Sequence, residues 1–156
     1  MHLFDNKVLN ETGKKLIAKK MTIAVAESVT SGLFQFAFST IPNAIKFYQG
    51  GITAYNLAQK YKHLQVEPIH AESVNCVSQK VASEMALNIC KEYASDWGIG
   101  VTGYATLVPE SQNKLFAYFA ICNKGKIKSF GKLTSTEAEP MKVQLKYVND
   151  IMRKLN

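Results

Sequence analysis

Thr22–Gly32 reads TIAVAESVTSG. A short run of apolar and β-branched residues stops at Ala26-Glu27-Ser28, and a small polar turn leads into an apolar helical pattern beginning at Leu33. This is the signature of a strand, Thr22 to Ala26, that hands a hydroxyl to the start of a helix. Backbone N–H groups at such a place can hold an anion or an oxyanion. The strand is apolar enough to be covered on both faces, which implies a parallel sheet between helices.

Working outward, apolar residues at Val8, Leu9, Leu16 and Ile17 recur at near-helical spacing, so Asp5 or Asn6 caps a first helix ending near Lys20. Leu33 to Phe38 forms the second helix. Ala44 to Tyr48 has no clear pattern. After Gly50-Gly51, Ile52 to Tyr55 reads as a second strand, and Asn56 caps a short helical piece carrying Ala58 and Lys60. Gln65 to Ser73 reads as connecting chain, with Pro68 as a breaker. Ser78 opens the clearest helix, which presents Val81, Ala82, Met85, Ala86, Ile89 and Cys90 on one face as far as Tyr93. Gly98 to Thr102 is a further strand. After a polar loop, Tyr104 to Asn113, two strands follow at Leu115 to Cys122 and Ile127 to Leu133. Asn123-Lys124-Gly125-Lys126 between them is a hairpin turn. A last helix starts at Glu137 or Pro140 and runs to Arg153.

The pattern predicts one domain over residues 1–156: a three-layer α/β/α arrangement with a mostly parallel sheet and an antiparallel hairpin. The length of 156 residues, 47% hydrophobic and 20% charged, fits one ordinary globular core. No signal peptide or membrane span is expected, because the amino-terminal MHLFDNKVLNETGKK mixes charge throughout; a cytoplasmic location follows. Cys76, Cys90 and Cys122 are too dispersed for a disulfide framework or a zinc site. His2, His63 and His70 show no ligand spacing, so no metal is expected. The net charge of +7 is scattered as lysine pairs without interleaved aromatic residues. It reads as a solvated surface, and no nucleic-acid or membrane partner is expected.

Three strand ends carry reactive side chains: Glu27-Ser28, Tyr55 with Lys60 beyond it, and Thr102-Gly103. In open α/β sheets ligands bind outside the carboxyl ends of strands, so these groups can converge. A serine hydroxyl needs a base to become a nucleophile, and with no histidine at a strand end Lys60 is the candidate, if burial lowers its pKa. Tyr55 can relay a proton or orient Lys60, and Glu27 can position the substrate or the lysine. For such residues taken singly the bland roles are the commoner ones. Ser28 can be a helix cap, Lys60 a solvated lysine, Tyr55 a core ring and Thr102-Gly103 a strand end and turn.

Four segments, AESVTSG (26–32), GGITAYNLAQK (50–60), VNCVSQKVASEMA (74–86) and GIGVTGYA (98–105), come in the order and spacing of a known family. The chain resembles the carboxy-terminal domain of the CinA competence/damage-inducible proteins, which also occurs alone as nicotinamide mononucleotide deamidase. The resemblance implies hydrolysis of the carboxamide of a small pyridine nucleotide, without cofactor, in a homodimer or higher homo-oligomer. It implies catalytic roles for Ser28, Lys60 and Tyr55. It implies substrate contacts at Glu27, Thr30, Ser31, Gly32, Thr102, Gly103, Tyr104 and Ala105, with amides near Thr30 to Gly32 or Thr102 to Ala105 holding the oxyanion. The chain departs from the family at Val29, at Ser31 (where a glycine is usual and a positive φ is disfavoured for serine), and at Tyr104, Thr106 and Leu107. Leu133 to Lys142, LTSTEAEPMK, also lacks the family's arginines. The alternative is a divergent relative that has lost or altered its activity and serves as a ligand-binding or partner protein.

Overall fold

A computed structural model describes residues 2–156. The chain runs through α1 (Asn6–Ala18), β1 (Ile23–Glu27), α2 (Leu33–Ser39), β2 (Tyr48–Thr53), α3 (Leu57–Leu64), α4 (Pro68–Ser73) and α5 (Gln79–Tyr93). It continues through β3 (Trp97–Gly103), β4 (Phe116–Asn123), β5 (Lys126–Thr134) and α6 (Pro140–Arg153). The sheet order is β2-β1-β3-β4-β5. β1 pairs in parallel with β2 and β3, while β4 runs antiparallel to β3 and β5. The α/β fold with a mixed sheet is therefore the one expected. Among the described residues no helix is long and apolar enough to cross a membrane.

The two faces of the sheet use different side chains for a packing reason. One face presents Ile23, Val25, Ile99, Val101, Phe119 and Ile121 to α1, α2 and α6, whose Phe34, Phe38, Tyr147 and Ile151 are wholly buried. Each fully buried large apolar side chain contributes roughly 2–3 kcal/mol. The other face carries Ala24, Ala26, Gly98 and Gly100, and α5 lies directly on it. A Cβ at Gly98 would sit 2.5 Å from Cys90 Sγ and 2.6 Å from the Ala86 carbonyl oxygen. Small residues there bring α5 close, which in turn sets the height of its amino-terminal end beside the strand termini.

Helix boundaries follow their caps. Asp5 accepts from the Val8 amide at 3.2 Å, Asn56 from Gln59 at 2.9 Å and Ser78 from Val81 at 3.2 Å. Two expectations need correction. β2 starts at Tyr48 and ends at Thr53, earlier than Ile52 to Tyr55, because Gly50 and Gly51 are strand residues opposite Ala24 and Val25. A Cβ on Gly51 would meet the Val25 carbonyl at 2.6 Å, and Tyr93 crosses over this stretch to donate to the Gly51 carbonyl at 3.1 Å. The glycines are demanded by close approach, not by a turn. Gln65 to Ser73 is not all connecting chain either. Pro68 is the first residue of α4, where its missing N–H costs nothing, and Glu67 caps the amides of Ile69 and His70 at 2.9 and 2.7 Å. The unassigned stretch, Ala44 to Tyr48, is a 3-10 turn over Ala44–Lys46 that delivers the chain to β2. Lys124 and Gly125, both at positive φ, form the hairpin turn.

Candidate functional site

The end of β1 and the start of α3 meet through two side chains 32 residues apart. Lys60 Nζ lies 2.8 Å from Ser28 Oγ and donates to the Ala54 carbonyl at 2.9 Å. Lys60 is 2% exposed and Ser28 6%. Neither of those partners is a carboxylate, so the lysine is held by neutral oxygens, and burial drives its pKa below the ordinary lysine value. The Asn56 cap starts α3 directly after the strand end, which places Lys60 one turn along the helix and returns its side chain to Ser28. Ser28 is therefore not a helix cap. The residue at the head of α2 is Gly32, with φ of 95°.

Glu27 occupies the position that the strand-to-helix motif suggested for an anion. Its carboxylate is fully buried and accepts from Thr30 Oγ1 at 2.7 Å, from the Phe34 amide at 2.9 Å and from the Gln35 amide at 3.1 Å. The head of α2 is thus closed by the protein's own carboxylate, and neither the Glu27 carboxylate nor the Thr30 hydroxyl is left free there. The Ser31 amide donates to the Ser28 carbonyl at 3.0 Å. Among the described residues the amides of Val29 and Thr30 carry no hydrogen bond to protein. Ser31 adopts φ of 46°, so the serine takes the left-handed conformation despite its Cβ. Replacing it with glycine relieves that strain, and Ser31→Gly is expected to raise stability by about 0.5–1 kcal/mol in urea unfolding.

A cleft of about 230 Å³ opens over Ser28 and Lys60, lined also by Tyr55, Asn56, Asn75, Cys76, Thr102 and Tyr104. Tyr55 is 68% exposed and stands at the rim; it makes no hydrogen bond to Lys60, whose orientation comes from Ala54 and Ser28. Thr102 Oγ1 donates to the Cys76 carbonyl at 2.7 Å, tying the end of β3 to the turn before α5. Gly103 is required by the sheet: a Cβ would sit 2.5 Å from Ala117 Cα. The Tyr104 amide is engaged by the Phe116 carbonyl at 2.9 Å, and the Tyr104 carbonyl accepts from Tyr147 of α6, also at 2.9 Å. Burial, with Glu110 adding to it, pushes the Tyr104 phenol up. Ala105 lines a separate cleft of about 600 Å³ bounded by Asn113–Leu115 and Thr134–Ala138.

Asn75, Cys76 and Gln144 belong to the site without having been singled out from sequence. Asn75 and Cys76 are consecutive non-glycine residues at positive φ, 52° and 61°, in the turn that precedes the Ser78 cap. Burial raises the Cys76 thiol, partly offset by Lys60. Gln144 Nε2 donates to the Val29 carbonyl at 2.9 Å, so α6 holds the residue after the serine. The only sequence sign of the first two was their place inside the 74–86 segment. Among the described residues no group of three or more His, Cys, Asp or Glu side chains is placed to hold a metal ion.

A family model described as the CinA C-terminal domain matches residues 5–156. A "putative competence-damage inducible protein" of Moorella thermoacetica is 33% identical over 142 residues, covering 90% of this chain and 34% of the relative. Another of the same description from Alkaliphilus oremlandii is 37% identical over 114 residues, 72% of this chain and 28% of the relative. The chain thus spans about a third or less of the length of these curated relatives. Among solved structures, a competence-damaged protein superfamily member from Escherichia coli superposes with TM-score 0.89 at 25% identity, covering 99% of this chain and 92% of that one. One from Klebsiella pneumoniae 700603 does so with TM-score 0.91 at 23% identity, covering 99% and 96%, which speaks to the fold alone.

Proposed function

The chain belongs to the CinA C-terminal domain family, and from that premise we propose that it is an amidohydrolase of the nicotinamide mononucleotide deamidase type. The reaction is a pyridine carboxamide plus water giving the carboxylate and ammonia. The observation that carries this reading is the buried Lys60 Nζ at 2.8 Å from Ser28 Oγ, with no carboxylate holding its charge.

The chemistry follows from that pair. Neutral Lys60 takes the hydroxyl proton as Ser28 Oγ attacks the carboxamide carbon. The carbonyl oxygen becomes an oxyanion, held by the unengaged amides of Val29 and Thr30. As the C–N bond breaks, Lys60 returns the proton to the leaving ammonia, and an acyl ester remains on Ser28. Water, deprotonated by the same lysine, adds to the ester, releases the acid and restores the hydroxyl. Ala54 fixes the direction of Nζ, and Tyr55 and Tyr104 flank the pyridine ring. Each step balances without a metal or a redox cofactor. A homo-oligomer in the cytoplasm is part of the same proposal.

The test is ammonia release from nicotinamide mononucleotide, nicotinamide riboside and nicotinamide. Ammonia from a ribosylated carboxamide supports the reading. Its absence with all three, at enzyme concentrations near that of the substrate, favours a binding protein that keeps only the fold.

A pH profile is a second check. The base must be unprotonated, and burial lowers the Lys60 pKa from 10.5. kcat/KM is therefore expected to fall on the acid side and rise to a plateau, with its midpoint below 10.5. A profile flat across about pH 6 to 10 would contradict a lysine base.

A further inference from the structure

We propose that Gln144 is a positioning residue for the reaction: from α6 it fixes the peptide that joins Val29 to Thr30, and so aims the Thr30 amide at the oxyanion. This rests on the amidohydrolase reading above and adds the group that keeps its oxyanion site in register.

The Val29 carbonyl and the Thr30 N–H belong to one trans peptide, so they point in opposite directions and turn as a unit. Gln144 Nε2 donates to that carbonyl at 2.9 Å and, among the described residues, is its one hydrogen-bond donor. The neighbouring peptides are tied otherwise. The Ser31 amide donates to the Ser28 carbonyl at 3.0 Å, and the Leu33 amide to the Thr30 carbonyl, also at 3.0 Å. These bonds hold the peptides on either side, Ser28-Val29 and Thr30-Ser31, and leave the one between them to Gln144. Thr30 is wholly buried, and among the described residues its amide meets no protein acceptor. A buried N–H without an acceptor is unfavourable, so a peptide that nothing held would turn to relieve it. The bond from Gln144 opposes that rotation. By polarising the peptide it also makes the Thr30 N–H a stronger donor.

Gln144 is itself held in place by its helix. Val143 and Tyr147, on either side of it in α6, are wholly buried, and Tyr147 donates to the Tyr104 carbonyl at 2.9 Å. One turn of α6 therefore grips two borders of the cleft: the turn that carries Ser28, through Gln144, and the residue after β3, through Tyr147. A bond that merely satisfied the Val29 carbonyl would add stability and leave the rate of the folded protein alone. One that aims the Thr30 amide acts on the transition state and not on substrate binding.

The experiment measures ammonia release, as kcat and KM separately, for the full chain, Gln144→Glu, Gln144→Leu and Gln144→Lys, with thermal unfolding of each. The substrate is whichever of nicotinamide mononucleotide and nicotinamide riboside the unaltered chain turns over. Gln144→Glu keeps the shape of the side chain and removes the donor. It is expected to lower kcat and kcat/KM together by about 10- to 100-fold with KM unchanged, less than the roughly 10²–10³ for deleting an oxyanion donor outright. Gln144→Leu repeats the loss without adding charge, and decides the matter should Gln144→Glu fail to fold. Gln144→Lys returns a donor to the carbonyl and is expected to stay within about threefold of the unaltered kcat. A kcat held in both variants that lack the donor, whatever their unfolding temperature, overturns the positioning role while leaving the amidohydrolase reading standing. A fall in Gln144→Lys as deep as theirs does the same. Absence of ammonia from both substrates with the unaltered chain overturns both.

Discussion

Ser28→Ala lowers kcat for ammonia release by about 10⁴-fold or more, the scale seen when one member of a nucleophile–base unit is removed. Nothing nearby replaces the hydroxyl. The Thr30 oxygen is bound to Glu27, and the Cys76 thiol is held in its protonated form by burial. Lys60→Met brings a loss of similar size and, as its second readout, a gain in stability. The folded-state pKa of Lys60 is lowered, so between it and 10.5 the unfolded chain binds more protons than the folded one. Stability of the unaltered protein therefore rises with pH through that window, and a lysine at lower pH is an unfavourable buried group. Lys60→Met removes that cost and is expected to gain about 1 kcal/mol near neutral pH, an advantage that shrinks toward the unfolded value. Urea unfolding at two pH values measures it. Ammonia release within tenfold of the unaltered rate in both variants would defeat the Ser/Lys chemistry.

How far a site can be read from sequence depends on whether its cause is local. The apolar run of β1 and the helix opened by Ser78 are set by spacing and a single cap, and both stand within a residue of expectation. The convergence of Ser28 with Lys60 rested on a topological rule, that strand ends in an open α/β sheet share one rim, and the topology obeys it. The start of β2 was hidden because glycine reads as a breaker in local terms, whereas Gly51 exists to let Val25 and Gln35 come within 3 Å of where a Cβ would stand. Pro68 was misread for a related reason: the same ring that stops a helix also starts one, and what decides is the carboxylate of Glu67 one residue earlier. Asn75 and Cys76 carry no signal beyond their place in the 74–86 segment, since left-handed backbone without glycine is imposed by the turn between α4 and α5. The partners of Glu27 were the least legible feature of the site. A carboxylate beside a candidate nucleophile suggests chemistry, and its partners become visible only once the turn is closed.

Glu27→Gln is accordingly expected to lower stability by about 3 kcal/mol, more than a surface exchange and in the range for a buried charged acceptor that loses its partners. The carboxylate accepts three hydrogen bonds, from Thr30, Phe34 and Gln35. A glutamine has one oxygen for them, and its NH₂ faces an amide that also donates. The unsatisfied amide lies at the head of α2, where the negative charge also interacts favourably with the positive end of the helix dipole. For a chain of this size the loss corresponds to a fall in Tm of about 10 °C. Activity separates this account from a substrate-binding role. The turn from Glu27 to Gly32 positions Ser28 and the free amides of Val29 and Thr30, so kcat falls while KM changes little. If Glu27 instead met the substrate directly, Glu27→Gln would raise KM and leave thermal unfolding nearly unchanged.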